Sequence, residues 1–135
     1  MIVSIVRSVG PVLAGLVVAV ALMIGVEFFS SIVHPFPPGV DPSDYEVCRE
    51  HVARYPAWVL AVAVLAWSLT TFLCSWLATR LGSERHLAHG IVVGSILLAL
   101  AIINMSMLPY PVWFWAGNLT LFPLGFYAGA RLGNS

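Results

Sequence analysis

Four long apolar runs, separated by short polar or proline-marked breaks, occupy about residues 11–33, 57–80, 87–108 and 112–131. Each has the roughly 20 residues that a helix needs to cross a hydrocarbon core about 30 Å thick. The pattern predicts an all-α membrane protein. Residues 1–135 form one domain, an antiparallel bundle of four transmembrane helices joined by short turns. Pro11 suits the first position of the first helix, where a missing N–H does no harm. Three prolines in His34-Pro35-Phe36-Pro37-Pro38-Gly39 then stop that helix and give a stiff, extended exit.

The rest of the outer loop, residues 34–56, carries a second kind of signal. Ser43 and Glu46 stand three apart as a capping box, predicting a short helix to about Tyr55. Tyr45, Cys48, Val52 and Tyr55 would share its apolar stripe, opposed by Glu46, Arg49, Glu50 and Arg54. This reads as an extracytoplasmic amphipathic helix on the membrane surface. Gly82-Ser83-Glu84-Arg85-His86 predicts a tight loop, and Leu108-Pro109-Tyr110-Pro111 turns directly into the fourth helix.

Composition removes the alternatives. Only 9% of residues are charged and the mean hydropathy is +0.95, against roughly 25% charged residues in soluble domains, so a soluble fold is excluded. Net charge is zero, which leaves no basic surface for nucleic acid and no polybasic cluster for anionic lipids. The first apolar run exceeds the 7 to 15 residues of a signal-peptide core, so it reads as a retained anchor. Arg7, Arg80, Arg85 and Arg131 fall on one side, whereas residues 34–55 hold two arginines against four acids. The positive-inside rule places both termini in the cytoplasm. Tyr55, Trp58, Tyr110, Trp113 and Trp115 would then form an outer aromatic belt. Cys48 and Cys74 differ too much in depth to bridge and read as free thiols.

Glu27 precedes His34-Pro35-Phe36-Pro37-Pro38-Gly39-Val40-Asp41-Pro42-Ser43-Asp44, and Pro109-Tyr110-Pro111-Val112-Trp113-Phe114 precedes the last helix. Together these strings resemble a family of small four-helix bacterial integral membrane proteins of unknown function, over nearly the whole chain. The resemblance implies a bacterial inner-membrane protein and no particular activity. His34 stands where the family pattern has an aromatic residue, and Tyr110 where it has histidine.

Glu27 is the carboxylate inside a predicted span, where an ionisable group costs about 2.5 to 3.5 kcal/mol unless paired or hydrated. At 1.5 Å per residue, Asn104 reaches nearly the same depth and Asn118 lies somewhat deeper, so the three can form an inward polar cluster. Such a cluster serves either as a proton or small-molecule site or as interhelical hydrogen bonding. Pro123 would kink the fourth helix nearby. Gly90 with Gly94, and Gly125 with Gly129, form two GxxxG packing faces, usable within the chain or against another copy.

His34 and His51 are outer-face candidates and, with Glu27, the one set resembling acid–base machinery. His86 and His89 lie at the other end, so at most two imidazoles meet on either side and no metal or cofactor is expected. Phosphate-loop, CxxC, GxSxG and HExxH motifs are absent from the sequence. The leading expectation is a non-enzymatic scaffold or accessory subunit, with the lipid bilayer and a homo-oligomer or other membrane subunits as partners. The alternative is an oligomeric small transporter or channel using Glu27 as a proton or cation site.

Overall fold

The computed structural model of the chain describes residues 2–82 and 87–135. Among the described residues it is entirely helical: α1 (Ile2–Val33), α2 (Tyr45–Ala53), α3 (Ala57–Leu81), α4 (Leu87–Met107) and α5 (Val112–Asn134). Three stretches are long and apolar enough to cross a membrane: Val9–Val33 of α1, α3 and α4. The loop expected between α3 and α4, with Arg85 and His86, lies outside the described residues apart from Gly82.

The helix begins before Pro11, which lies inside α1 and not at its start. Proline removes one i→i−4 hydrogen bond but leaves the following turns intact, so a long apolar run propagates through it. The last helix likewise runs past Arg131 to Asn134.

The helix α3 touches all three other long helices, and its most extensive contact is with α5. These two run parallel. Gly125 sits over the Ser68 carbonyl, Gly129 over the Phe72 carbonyl and Gly133 over the Trp76 carbonyl, one turn apart in step. On the α4 side, a Cβ at Gly90 would strike the Thr79 side chain and the Ser75 carbonyl, and one at Gly94 would strike Phe126. Both GxxxG faces therefore close the bundle within this chain. The core lies along these seams, with Cys74, Ala78, Val93 and Phe114 fully buried.

On the other flank of α3, α1 is held at two heights. Near its middle, Gly15 approaches the Cys74 carbonyl and Ala19 is fully buried; near its end, Ser30 is buried again. Between them α1 packs more loosely: Val26 reaches the core, but Gly25 has open space where a Cβ would be, Ile24 and Phe28 are about two-thirds exposed (64% and 68%), and contact with α4 is slight. This separation leaves a cleft between α1 and the three-helix remainder.

The α1–α3 connection closes the end of that cleft. Gly39 takes a positive φ of 84°, and Asp41 accepts hydrogen bonds from the Ser43 amide and hydroxyl. With Ser43 so engaged, the N-cap of α2 is Asp44 instead, whose carboxylate accepts from the Glu46 and Val47 amides at 2.9 and 3.4 Å. The capping box expected at Ser43 is corrected by that single residue. Tyr45 donates from its hydroxyl to the Met107 carbonyl at the end of α4. His51 and Val52 form the buried side of α2, whereas Tyr45 is half exposed. The inward stripe thus includes His51 in place of Tyr45.

Adding a methyl at the packed glycines overfills a seam. Gly129→Ala and Gly90→Ala should each destabilise the bundle by about 1–3 kcal/mol. Gly25→Ala, in open space, should be neutral or slightly stabilising. Thermal unfolding in one detergent compares the three, and equal midpoints would refute the glycine seams.

Candidate functional site

Four polar side chains, Glu27, Thr70, Thr71 and Asn104, line the cleft. A cavity of about 120 Å³ is bounded by Met23 and Glu27 of α1, Trp67, Thr70 and Thr71 of α3, Leu97, Leu100, Ala101 and Asn104 of α4, and Phe122 of α5. Glu27 lies six residues before the end of α1 and Asn104 three before the end of α4, so both sit within about 10 Å of the loop end.

Hydrogen-bond accounting gives this cavity a sign. The Thr70 and Thr71 hydroxyls donate to the Ala66 and Trp67 carbonyls, each at 2.8 Å, leaving their oxygen lone pairs unused. Asn104 directs its amide nitrogen to the Tyr110 hydroxyl at 3.4 Å, leaving its carbonyl oxygen. The Glu27 carboxylate makes no hydrogen bond or ion pair among the described residues; the ion pair found there is Arg49 with Glu46, on the exposed face of α2. Apart from the Trp67 indole, which is a donor only, acceptors thus dominate the polar wall. Such a surface suits a proton, a cation or a hydrogen-bond donor and disfavours an anion.

Glu27 and Trp67 also bound a second, smaller cavity of about 20 Å³, shared with Ser30, Tyr55 and Tyr110. That volume accommodates about one water. Above it stands an aromatic cluster. His34 and His51 stack with ring centres 4.2 Å apart, Phe36 stacks on the other side of His51 at 3.9 Å, and Tyr55 lies 4.6 Å from His34. The His34 Nε2 lies 3.1 Å from the His51 carbonyl oxygen. Both histidines line a third cavity of about 180 Å³, at the surface with Glu50 and Arg54. Polar side chains therefore run from the loop surface to Glu27.

The structure brings Glu27 and Asn104 together, and His34 with His51. Asn118 is set apart: it is fully buried, donates to the Phe114 carbonyl and contacts Met105 Sδ, and is not on the cavity wall. His89 is buried at the start of α4 beside Gly82, and its expected companion His86 lies outside the described residues. No group of three or more metal-ligating side chains occurs among the described residues. Cys74 is buried and Cys48 partly exposed, both as free thiols.

The sequence places Tyr55, Trp58, Tyr110, Trp113 and Trp115 in one outer aromatic belt, of which Trp115 is partly buried against the core. Trp58 and Trp113 do face outward, but the two tyrosines turn toward Glu27, and Tyr110 stacks on buried Phe114 at 4.4 Å. Their placement beside prolines at helix ends was the available signal, since such turns cap the bundle. Comparison with protein-family models, curated proteins and solved structures finds no match for this chain.

Burial, and then the neighbouring His34 ring, holds the His51 pKa below its ordinary 6.5. The unfolded loop therefore binds protons more readily than the folded one, and the stability contributed by neutral His51 is lost as pH falls below about 6.5. Amide hydrogen exchange in residues 34–55 should accelerate on acidification through that range, and His51→Phe should flatten the response. Equal protection at pH 7.5 and 5 in the unmodified protein would contradict this.

Proposed function

We propose that this chain is a small multi-pass membrane protein that binds a proton or small cation at Glu27, as an oligomeric transporter or channel. The observation that carries the reading is the unpaired Glu27 carboxylate on a cavity wall whose other polar atoms are mainly acceptors. An acid left uncompensated at membrane depth points to a group supplied from outside the chain.

In this reading α5 is a fourth spanning helix, both termini are cytoplasmic and the α1–α3 connection faces outward across a bacterial inner membrane. Exposed Trp58 and Trp113 at the loop end, with exposed Arg80 and Arg131 at the other, support that orientation. Membership in a small four-helix bacterial membrane family is part of the same proposal. A second reading, a non-enzymatic scaffold or accessory subunit, is favoured by the exposed apolar side of α1 around Ile24 and Phe28. It no longer draws on the glycine faces, which this chain's own helices cover.

Two measurements test the proposal. In proteoliposomes, Glu27→Gln should abolish proton or alkali-cation flux while leaving the thermal midpoint nearly unchanged; unaltered flux would overturn the transport reading. In intact cells, a membrane-impermeant maleimide should modify Cys48 and spare buried Cys74. Modification of Cys48 only after the membrane is opened would reverse the orientation.

A further inference from the structure

We infer that the Glu27 cavity takes an organic primary ammonium group, with an apolar tail leaving sideways between α1 and α4. This deepens the cation reading above and rests on it. The polar wall combines one carboxylate with the spent hydroxyls of Thr70 and Thr71 and the Asn104 carbonyl, so N–H donors on the ligand find acceptors in several directions. A bare alkali ion would use the same oxygens, but it would leave the remaining wall without a role. That wall is apolar and aromatic: Met23, Leu97, Leu100 and Phe122, with the Trp67 indole, a ring type that attracts organic cations.

Size and access agree. At about 120 Å³ the cavity is somewhat smaller than the roughly 150 Å³ void that holds benzene in an engineered lysozyme, so it accepts an ammonium head and a few carbons. Slight contact between α1 and α4, with Leu100 half exposed and Met23 39% exposed, leaves a lateral route for a longer chain. A primary ammonium of this kind is presented either by a free alkylamine or by an ethanolamine lipid headgroup.

The test uses the full chain in nanodiscs made only of phosphatidylcholine, titrated with n-butylammonium and with n-butyltrimethylammonium by calorimetry. The primary amine should bind at least tenfold more tightly than its trimethyl counterpart, which lacks N–H donors. Glu27→Gln should weaken it at least tenfold, and Thr71→Val several-fold, with thermal midpoints confirming that each variant is folded. Repeating the titration with ethanolamine lipid included separates the sources: competition assigns the site to the headgroup, and unchanged affinity assigns it to the free amine. Equal affinity for the two amines, or undiminished binding by Glu27→Gln, overturns the inference. Glu27-dependent flux of protons or alkali ions without amine binding would remove this inference alone, whereas loss of neither flux nor binding in Glu27→Gln would remove the parent reading as well.

Discussion

The close approach of α3 to the glycine-bearing faces of α4 and α5 is the constraint on which the rest of the molecule depends. In lipid, an apolar side chain gains little by turning from hydrocarbon to a neighbouring helix, so association rests on dispersion contacts and short backbone distances. Gly125, Gly129 and Gly133 supply those distances along one side of α3, and Gly90 supplies them along another. Three helices are thereby fixed against one another with no polar group required between them. Thr79 and Ser75 bury hydroxyl oxygens at this seam without a hydrogen-bond partner among the described residues, which fits a contact governed by shape.

What α1 does follows from what that assembly leaves over. One flank of α3 remains, and α1 occupies it with a single small-residue contact at Gly15 and Ala19. Bulkier residues follow, and α1 returns to the bundle at Val26 and Ser30. The cleft is therefore a consequence of side-chain size along one helix. Its wall carries the Thr70 and Thr71 hydroxyls, the Asn104 amide and the Glu27 carboxylate, whereas the α3–α4 seam buries the Ser75 and Thr79 hydroxyls. The α1–α3 connection then limits access from the loop end, held by the Tyr45 bond to Met107 and the stacked histidines.

Depth was legible in the sequence, and azimuth was not. Counting along each run put Glu27 and Asn104 at one level, and the structure places them on one cavity. The same counting put Asn118 near them, yet Asn118 faces Met105 and the α5 backbone. A soluble helix announces its buried face by hydrophobic contrast, but a membrane helix is apolar toward lipid and protein alike, so rotation about its axis leaves little trace. The two tyrosines were misread for a related reason: an amphipathic ring beside a helix end satisfies either a lipid interface or an internal cavity. The one-residue shift of the α2 cap had a different cause. Asp41, Ser43 and Asp44 all favour turns, and only three-dimensional placement decides which carboxylate caps the helix and which holds the turn.

The contest between structural glue and functional site at Glu27 turns on where its hydrogen bonds go. Glue requires a partner on a neighbouring helix, because an isolated intramembrane carboxylate costs about 2.5 to 3.5 kcal/mol. Thr70 and Thr71 donate to their own helix and Asn104 donates to Tyr110, while the Tyr55 and Tyr110 hydroxyls share the smaller cavity with Glu27 without a hydrogen bond to it. Those arrangements leave Glu27 without a hydrogen bond among the described residues. A chain that packs α3, α4 and α5 through glycine holds those three helices together without that acid. On the proposed reading, the missing interaction comes from a species that enters the cleft and, given the acceptors already there, brings hydrogen or positive charge.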